Sequence, residues 1–273
     1  MTLNDIQFAF NRATRLTFSL PKFLLVFFTL LLCGVLAVFF RALATQANEW
    51  VVLSLLFVPL FLCAGILLAA GILLIRVYHD EVKGKEVSFL KTLFRSWELM
   101  VGAAYFSIPI ILSYLILWML LGIFMLFRTI PGVGEFFGAI LSFAPFLINF
   151  LTLILSLTNF AILFFVTPVL ALRGLNRHLV AQILTRRCAR DVFSNILLAL
   201  ISILPLALAL VLLTLSAIIT GTVCVNCTTT VYTVIEWFFV MIPFTALLAP
   251  PVVFFFNFAA ESHVLLMREV RTR

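Results

Sequence analysis

Sixteen of the eighteen Lys and Arg residues fall on one side of a membrane once the apolar runs of this chain are taken as spans. Spanning helices need about 20 apolar residues each. Six runs qualify, near residues 23–40, 50–75, 99–127, 145–172, 192–220 and 237–260. Arg12, Arg15 and Lys22 precede the first run. Arg76, Lys83, Lys85, Lys91 and Arg95 follow the second, and Arg173, Arg177, Arg186, Arg187 and Arg190 follow the fourth. Arg268, Arg271 and Arg273 follow the sixth, which leaves Arg41 and Arg128 alone on the opposite side. Basic loops stay cytoplasmic, so both ends of the chain are expected in the cytoplasm.

Composition supports the same reading. Of the 273 residues, 64% are hydrophobic and 11% charged, and the mean hydropathy is +1.26. A soluble domain is about 25% charged, and it avoids the large exposed apolar patches this composition would force. The net charge of +7 sits at span ends. No basic face lies outside the membrane-flanking loops, so no nucleic-acid partner is expected. The expected class is all-α: one integral membrane domain over residues 1–273.

The first run is followed by Ala42-Leu43-Ala44, an A-x-A sequence of the kind cleaved after signal peptides. Its 18 apolar residues exceed the usual signal core of about 7–15, so an uncleaved span is expected. Residues 99–127 would make about 43 Å of helix, more than the roughly 30 Å of hydrocarbon. Tilt, or a start in the interface, is expected there. Residues 136–172 are interrupted by Pro145, which predicts a lining stretch, a kink, and then the crossing.

An amphipathic basic segment precedes each odd span. Ile6, Phe10 and Ala13 oppose Asn11, Arg12 and Arg15 in the first. Leu90, Leu93, Phe94 and Trp97 oppose Lys91, Arg95 and Glu98 in the second. Val180, Ile183 and Leu184 oppose Gln182, Arg186 and Arg190 in the third. Such helices lie in the headgroup layer with their cations against anionic lipid. Arg12, Arg15, Lys91, Arg95, Arg186, Arg187 and Arg190 are therefore the expected surface for anionic headgroups or a membrane-protein partner.

Several short motifs carry a resemblance. These are 83–89 (KGKEVSF) leading through Trp97 into a span, 130–134 (IPGVG), 167–172 (TPVLAL) before a basic helix, and 264–271 (VLLMREVR). Together they resemble six-span bacterial inner-membrane proteins related to the membrane domain of some glycerophosphodiester phosphodiesterases. The resemblance implies a bacterial inner-membrane location and the six-span architecture. The phosphodiesterase domain itself is absent, so no catalytic residue carries over. Where that family places a Tyr near the last span, this chain has Leu266 or Met267.

Site chemistry is sparse. No charge sits at the middle of a span, where coupled pumps keep one. Asn149, Asn159 and Asn257 are the polar residues best placed to line a path, against the alternative of hydrogen bonds between helices. His79, His178 and His263 each follow an even span, too far apart in sequence for a local metal motif, so no metal or cofactor is expected. Cys224 and Cys227 form a CxxC pair in an outer loop, where a disulfide can persist. No phosphate loop, nucleophile elbow or carboxylate pair marks an enzyme. The expected role is non-enzymatic, in membrane integrity or as an accessory to a partner. The alternative is a passive transporter or channel subunit lined by Pro-kinked helices.

The topology has a direct test. Reporter fusions after Arg41, Arg128 and Cys227 should read as outside, and those after Lys85, Arg187 and Arg273 as inside. One fusion on the wrong side breaks the six-span reading.

Overall fold

The computed structural model describes residues 3–44, 49–85, 89–140, 142–190, 192–221 and 231–272. Among the described residues every regular element is helical. Six stretches are long and apolar enough to cross a membrane: Leu20–Ala44, Leu55–Val82, Lys91–Arg128, Ala144–Arg173, Val192–Ile219 and Tyr232–Met267. This is the expected all-α, multi-pass architecture, with five of the six spans longer than their apolar runs and Val192–Ile219 matching its run to within one residue.

The first basic segment is helix α1 (Leu3–Arg15), followed by span one as α2 (Leu20–Ala44) and span two within α3 (Glu49–Val82). Span three is broken. Helix α4 (Phe89–Ala104) passes through a 3₁₀ turn at Tyr105–Ser107 into α5 (Ile108–Arg128). Pro109 explains the joint: it lacks the N–H that a continuous helix needs, and it occupies the first turn of α5, where none is required.

Pro145 acts in the same way. A short α6 (Val133–Ile140) ends before it, and α7 (Ala144–Ala161) starts with Pro145 in its first turn. The expected kink is thus a break between two helices. Farther along, a π-helical turn at Ile162–Val166 joins α7 to α8 (Thr167–Arg173). Pro168 lies just beyond it in the first turn of α8, so the wider turn absorbs the missing donor. Gly174 ends α8 at φ 85°, and its N–H donates to the Leu170 carbonyl at 2.9 Å. The third basic segment is α9 (Arg177–Arg190), followed by span five as α10 (Val192–Ile219) and span six within α11 (Val231–Thr272). Asn176 caps α9, its side-chain oxygen accepting from the Leu179 N–H at 3.3 Å.

The core is not centred along the bundle. Leu68, Ile72, Leu74 and Ile75 of α3 meet Val169 and Leu170 of α8 and Val253, Phe256 and Phe258 of α11, all at most 2% exposed. These residues lie in the half of the bundle that carries the basic segments. The far half is apolar and open: Leu112, Met119 and Leu126 on α5, and Leu204, Leu208 and Val211 on α10, face outward. Lipid is as apolar as Leu, so these faces need no protein partner to be stable. At the far end Arg41 stacks on Trp237, 4.0 Å from the ring centroid, and ties span one to span six.

Two of the three amphipathic helices, α1 and α9, use their faces differently from expectation. On α1 the apolar residues Ile6, Phe10 and Ala13 turn onto the bundle and not into lipid; Phe10 meets Phe254 edge-on at 5.1 Å. On α9, Val180, Ile183 and Leu184 likewise pack on the core. On α4, by contrast, Ser96, Leu99 and Ala103 face the bundle, while Phe94 and Trp97 stand outward. Here the small residues win the contact with α3 because they allow close backbone approach. That leaves the aromatics for the interface, where their rings are favoured.

Gly71 shows how tight the core is. A Cβ there would overlap the buried Phe256 ring. Gly71→Ala should cost about 1–3 kcal/mol, the usual range for overpacking. Thermal unfolding in detergent should show a lowered midpoint, partly restored when Phe256→Leu is added.

Candidate functional site

The polar residues of this chain gather where α1, α2, α3 and α11 meet. Lys22 is fully buried, two residues into α2. Its ammonium donates to the Leu16 carbonyl at 2.9 Å, just past the end of α1, where helix carbonyls have lost their own donors. It also pairs with the Glu81 carboxylate of α3 and lies 5.3 Å from the centroid of the Tyr78 ring. One turn from Glu81, the Tyr78 hydroxyl donates to Glu261 of α11 at 2.7 Å. Arg12 of α1 reaches the same Glu261 oxygen at 3.6 Å. Four helices are thus joined by two ion pairs and one charge-assisted hydrogen bond.

Asn257 adds to this knot: its amide donates to the Ala13 carbonyl of α1 at 3.5 Å and is wholly buried. Of the three asparagines considered as path-lining, it fastens two helices together. Asn159 is buried beside the π-helical turn. Asn149 lies ten residues earlier on α7, about 15 Å away along the axis. It faces a space of about 10 Å³ beside Tyr114 and Trp118, room for about one water. The three do not come together.

A second polar group lies between α3, α4 and α8. Arg76 donates from Nε to the Ala171 carbonyl at 3.0 Å and from Nη1 to Ser96 Oγ at 2.8 Å. Ala171 lies in the last turn of α8, so Arg76 supplies both a donor and a positive charge to that helix end. The guanidinium is thereby fixed in the wall of an open cavity of about 490 Å³. His79, Asp80, Lys85, Lys91, Thr92 and Arg95 also line it.

The expected lipid-facing cations divide into groups. Arg15, Lys91 and Arg95 are exposed, and Arg12 is half-exposed at its ion pair. Arg187 is different: it is 7% exposed, so it does not belong to that surface. Its Nε donates to Asn195 Oδ1 at 2.8 Å, while Asn195 Nδ2 donates back to the Arg187 carbonyl at 2.9 Å. Its guanidinium sits 4.9 Å from the Phe165 ring centroid. Arginine suits such a site because its weakly hydrated plane stacks on aromatics. The side chains of Arg186 and Arg190, and Cys224 and Cys227 altogether, lie outside the described residues. Cys33 and Cys63 face one another across α2 and α3, the Cys63 thiol donating to the Cys33 carbonyl at 3.6 Å.

His79 lines the cavity, His178 is exposed and His263 is buried in α11. No group of three His, Cys, Asp or Glu among the described residues could hold a metal ion. Lys22, Tyr78, Glu81 and Glu261 are the residues that sequence reasoning passed over. Their signal was available: a Lys opening span one and the adjacent Asp80 and Glu81 closing span two occupy the same membrane face. No family model, curated protein or solved structure matches the chain.

The Lys22–Glu81 pair makes an asymmetric prediction. Removing one partner of a buried pair costs about 3–5 kcal/mol because it strands the other charge. Lys22 has no exposed surface, whereas the Glu81 side chain is 22% exposed. Glu81→Gln should therefore lower the unfolding midpoint far more than Lys22→Met, which leaves a carboxylate able to reach water. Equal losses would contradict the assigned burial.

Proposed function

We propose that this chain is a non-enzymatic accessory protein of the bacterial inner membrane, with its basic end and both termini in the cytoplasm. In this reading the basic end is the working surface, presented to a membrane-protein partner and to anionic headgroups. The observation that carries it is where the rigid part of the molecule lies. The dry core, the Lys22–Glu81 pair and the Arg12–Glu261–Tyr78 group all brace the basic end, whereas the far half is apolar surface suited to lipid. A braced surface loses little conformational freedom on binding, which favours docking. The resemblance to six-span inner-membrane proteins supports the location and the architecture.

Asn257 bonded to α1 and Asn149 facing room for one water both speak for structural roles rather than a conduit. Pull-down of the tagged full chain from membranes should recover a membrane protein in fixed ratio, and charge reversal at Arg15 and Arg95 should release it. Liposomes containing the chain should show no saturable uptake. Saturable uptake without a partner would instead make the chain a passive transporter.

A further inference from the structure

The cavity between α3, α4 and α8 has the chemistry of an anion site placed at a bilayer surface. Among the described residues of its lining, Arg76, Lys85, Lys91 and Arg95 are basic and Asp80 is acidic. Arg76 is oriented by its bonds to Ala171 and Ser96, so its planar fork is held before any ligand arrives. Pre-set donors of this kind match phosphate oxygens. The cavity, about 490 Å³, is far larger than a single anion requires.

The outer side of α4 supplies what an amphiphile would need next. Arg95 lines the cavity and also borders a second open space, with Leu93, Phe94, Trp97 and Glu98. From Phe94, which is 79% exposed, an outward strip descends through Val101 and Tyr105, at 41% and 61%. The i, i+7, i+11 spacing keeps these residues on one side of the helix axis. Cations at the membrane surface and an apolar strip running inward from them are complementary to one phospholipid.

We infer that this cavity binds the phosphate of an anionic phospholipid headgroup, with an acyl chain lying along Phe94, Val101 and Tyr105. The site rests on the reading of the basic end as the working surface, and it names one ligand of that surface. A lipid held there bridges spans two, three and four at their basic ends. Each Lys or Arg near an anionic surface contributes about fivefold to binding.

The test uses the purified full chain in neutral detergent, with phosphatidylglycerol and phosphatidylcholine as probes and native mass spectrometry to count bound lipid. The wild-type chain should retain phosphatidylglycerol preferentially. Lys91→Gln with Arg95→Gln should weaken that retention about 25-fold, fivefold for each cation, and leave phosphatidylcholine unchanged. Both side chains are exposed, so the unfolding midpoint should hold. Arg76→Gln should act in the same direction. Arg128→Gln, exposed at the far end of the bundle, should leave the preference intact.

Three results would overturn the site: a preference that survives the Lys91 and Arg95 changes, a preference lost equally in the Arg128 variant, or displacement of the lipid by inorganic phosphate alone. The first two would leave partner recovery, and so the accessory reading, untouched. Saturable uptake would end the accessory reading whether or not lipid binds.

Discussion

Lys22 has no water to turn to, so its ammonium must find every partner inside the protein. It takes the last carbonyl region of α1, the carboxylate of Glu81 and the face of Tyr78. Each partner belongs to the same end of the bundle but comes from a different stretch of chain. Satisfying one buried charge therefore fixes α1 against α2 and α2 against α3. Tyr78 passes the constraint to Glu261, which brings α11 and Arg12 into the same group. A bundle without a hydrophobic driving force between its helices needs such contacts to set its register.

The rest of the architecture follows from that anchoring. Gly71 admits the Phe256 ring close to α3, and Phe164 and Phe255 fill the space beside it, 5.8 Å apart. Arg76 and Arg187 then close the ends of α8 and α9 over this core. Beyond it the helices need only match lipid, and the exposed Leu and Phe residues of α5, α7 and α10 do so. Proline sets the joints: Pro109, Pro145 and Pro168 each start a helix, after a 3₁₀ turn, a break and a π-helical turn respectively.

Span number and the amphipathic faces of α1 and α9 were legible in the sequence because both depend on local periodicity and on where charge stops. The direction of the α1 face was legible, but what it meets was not. An apolar stripe fits lipid and protein equally well, and Phe10 found Phe254. On α4 helix packing selects Ser96 and Ala103 for the bundle and leaves Phe94 and Trp97 outward, the orientation an interfacial stripe takes. Arg187 was misplaced because its position in a basic run hid the Asn195 and Phe165 that hold it inside. The Lys22–Glu81 and Tyr78–Glu261 contacts span long sequence separations, which periodicity does not encode.

The braced polar end, and the surface it supports, depends on Lys22 and Glu81 acting as a unit. A double-mutant cycle measures that directly. Unfolding free energies in one detergent for Lys22→Met, Glu81→Gln and the double variant give the coupling between the two side chains. The account predicts a double variant less destabilised than the sum of the singles by more than about 1 kcal/mol, since neither charge is then left alone. Losses that add to within about 0.3–0.5 kcal/mol, as for distant independent sites, would contradict it.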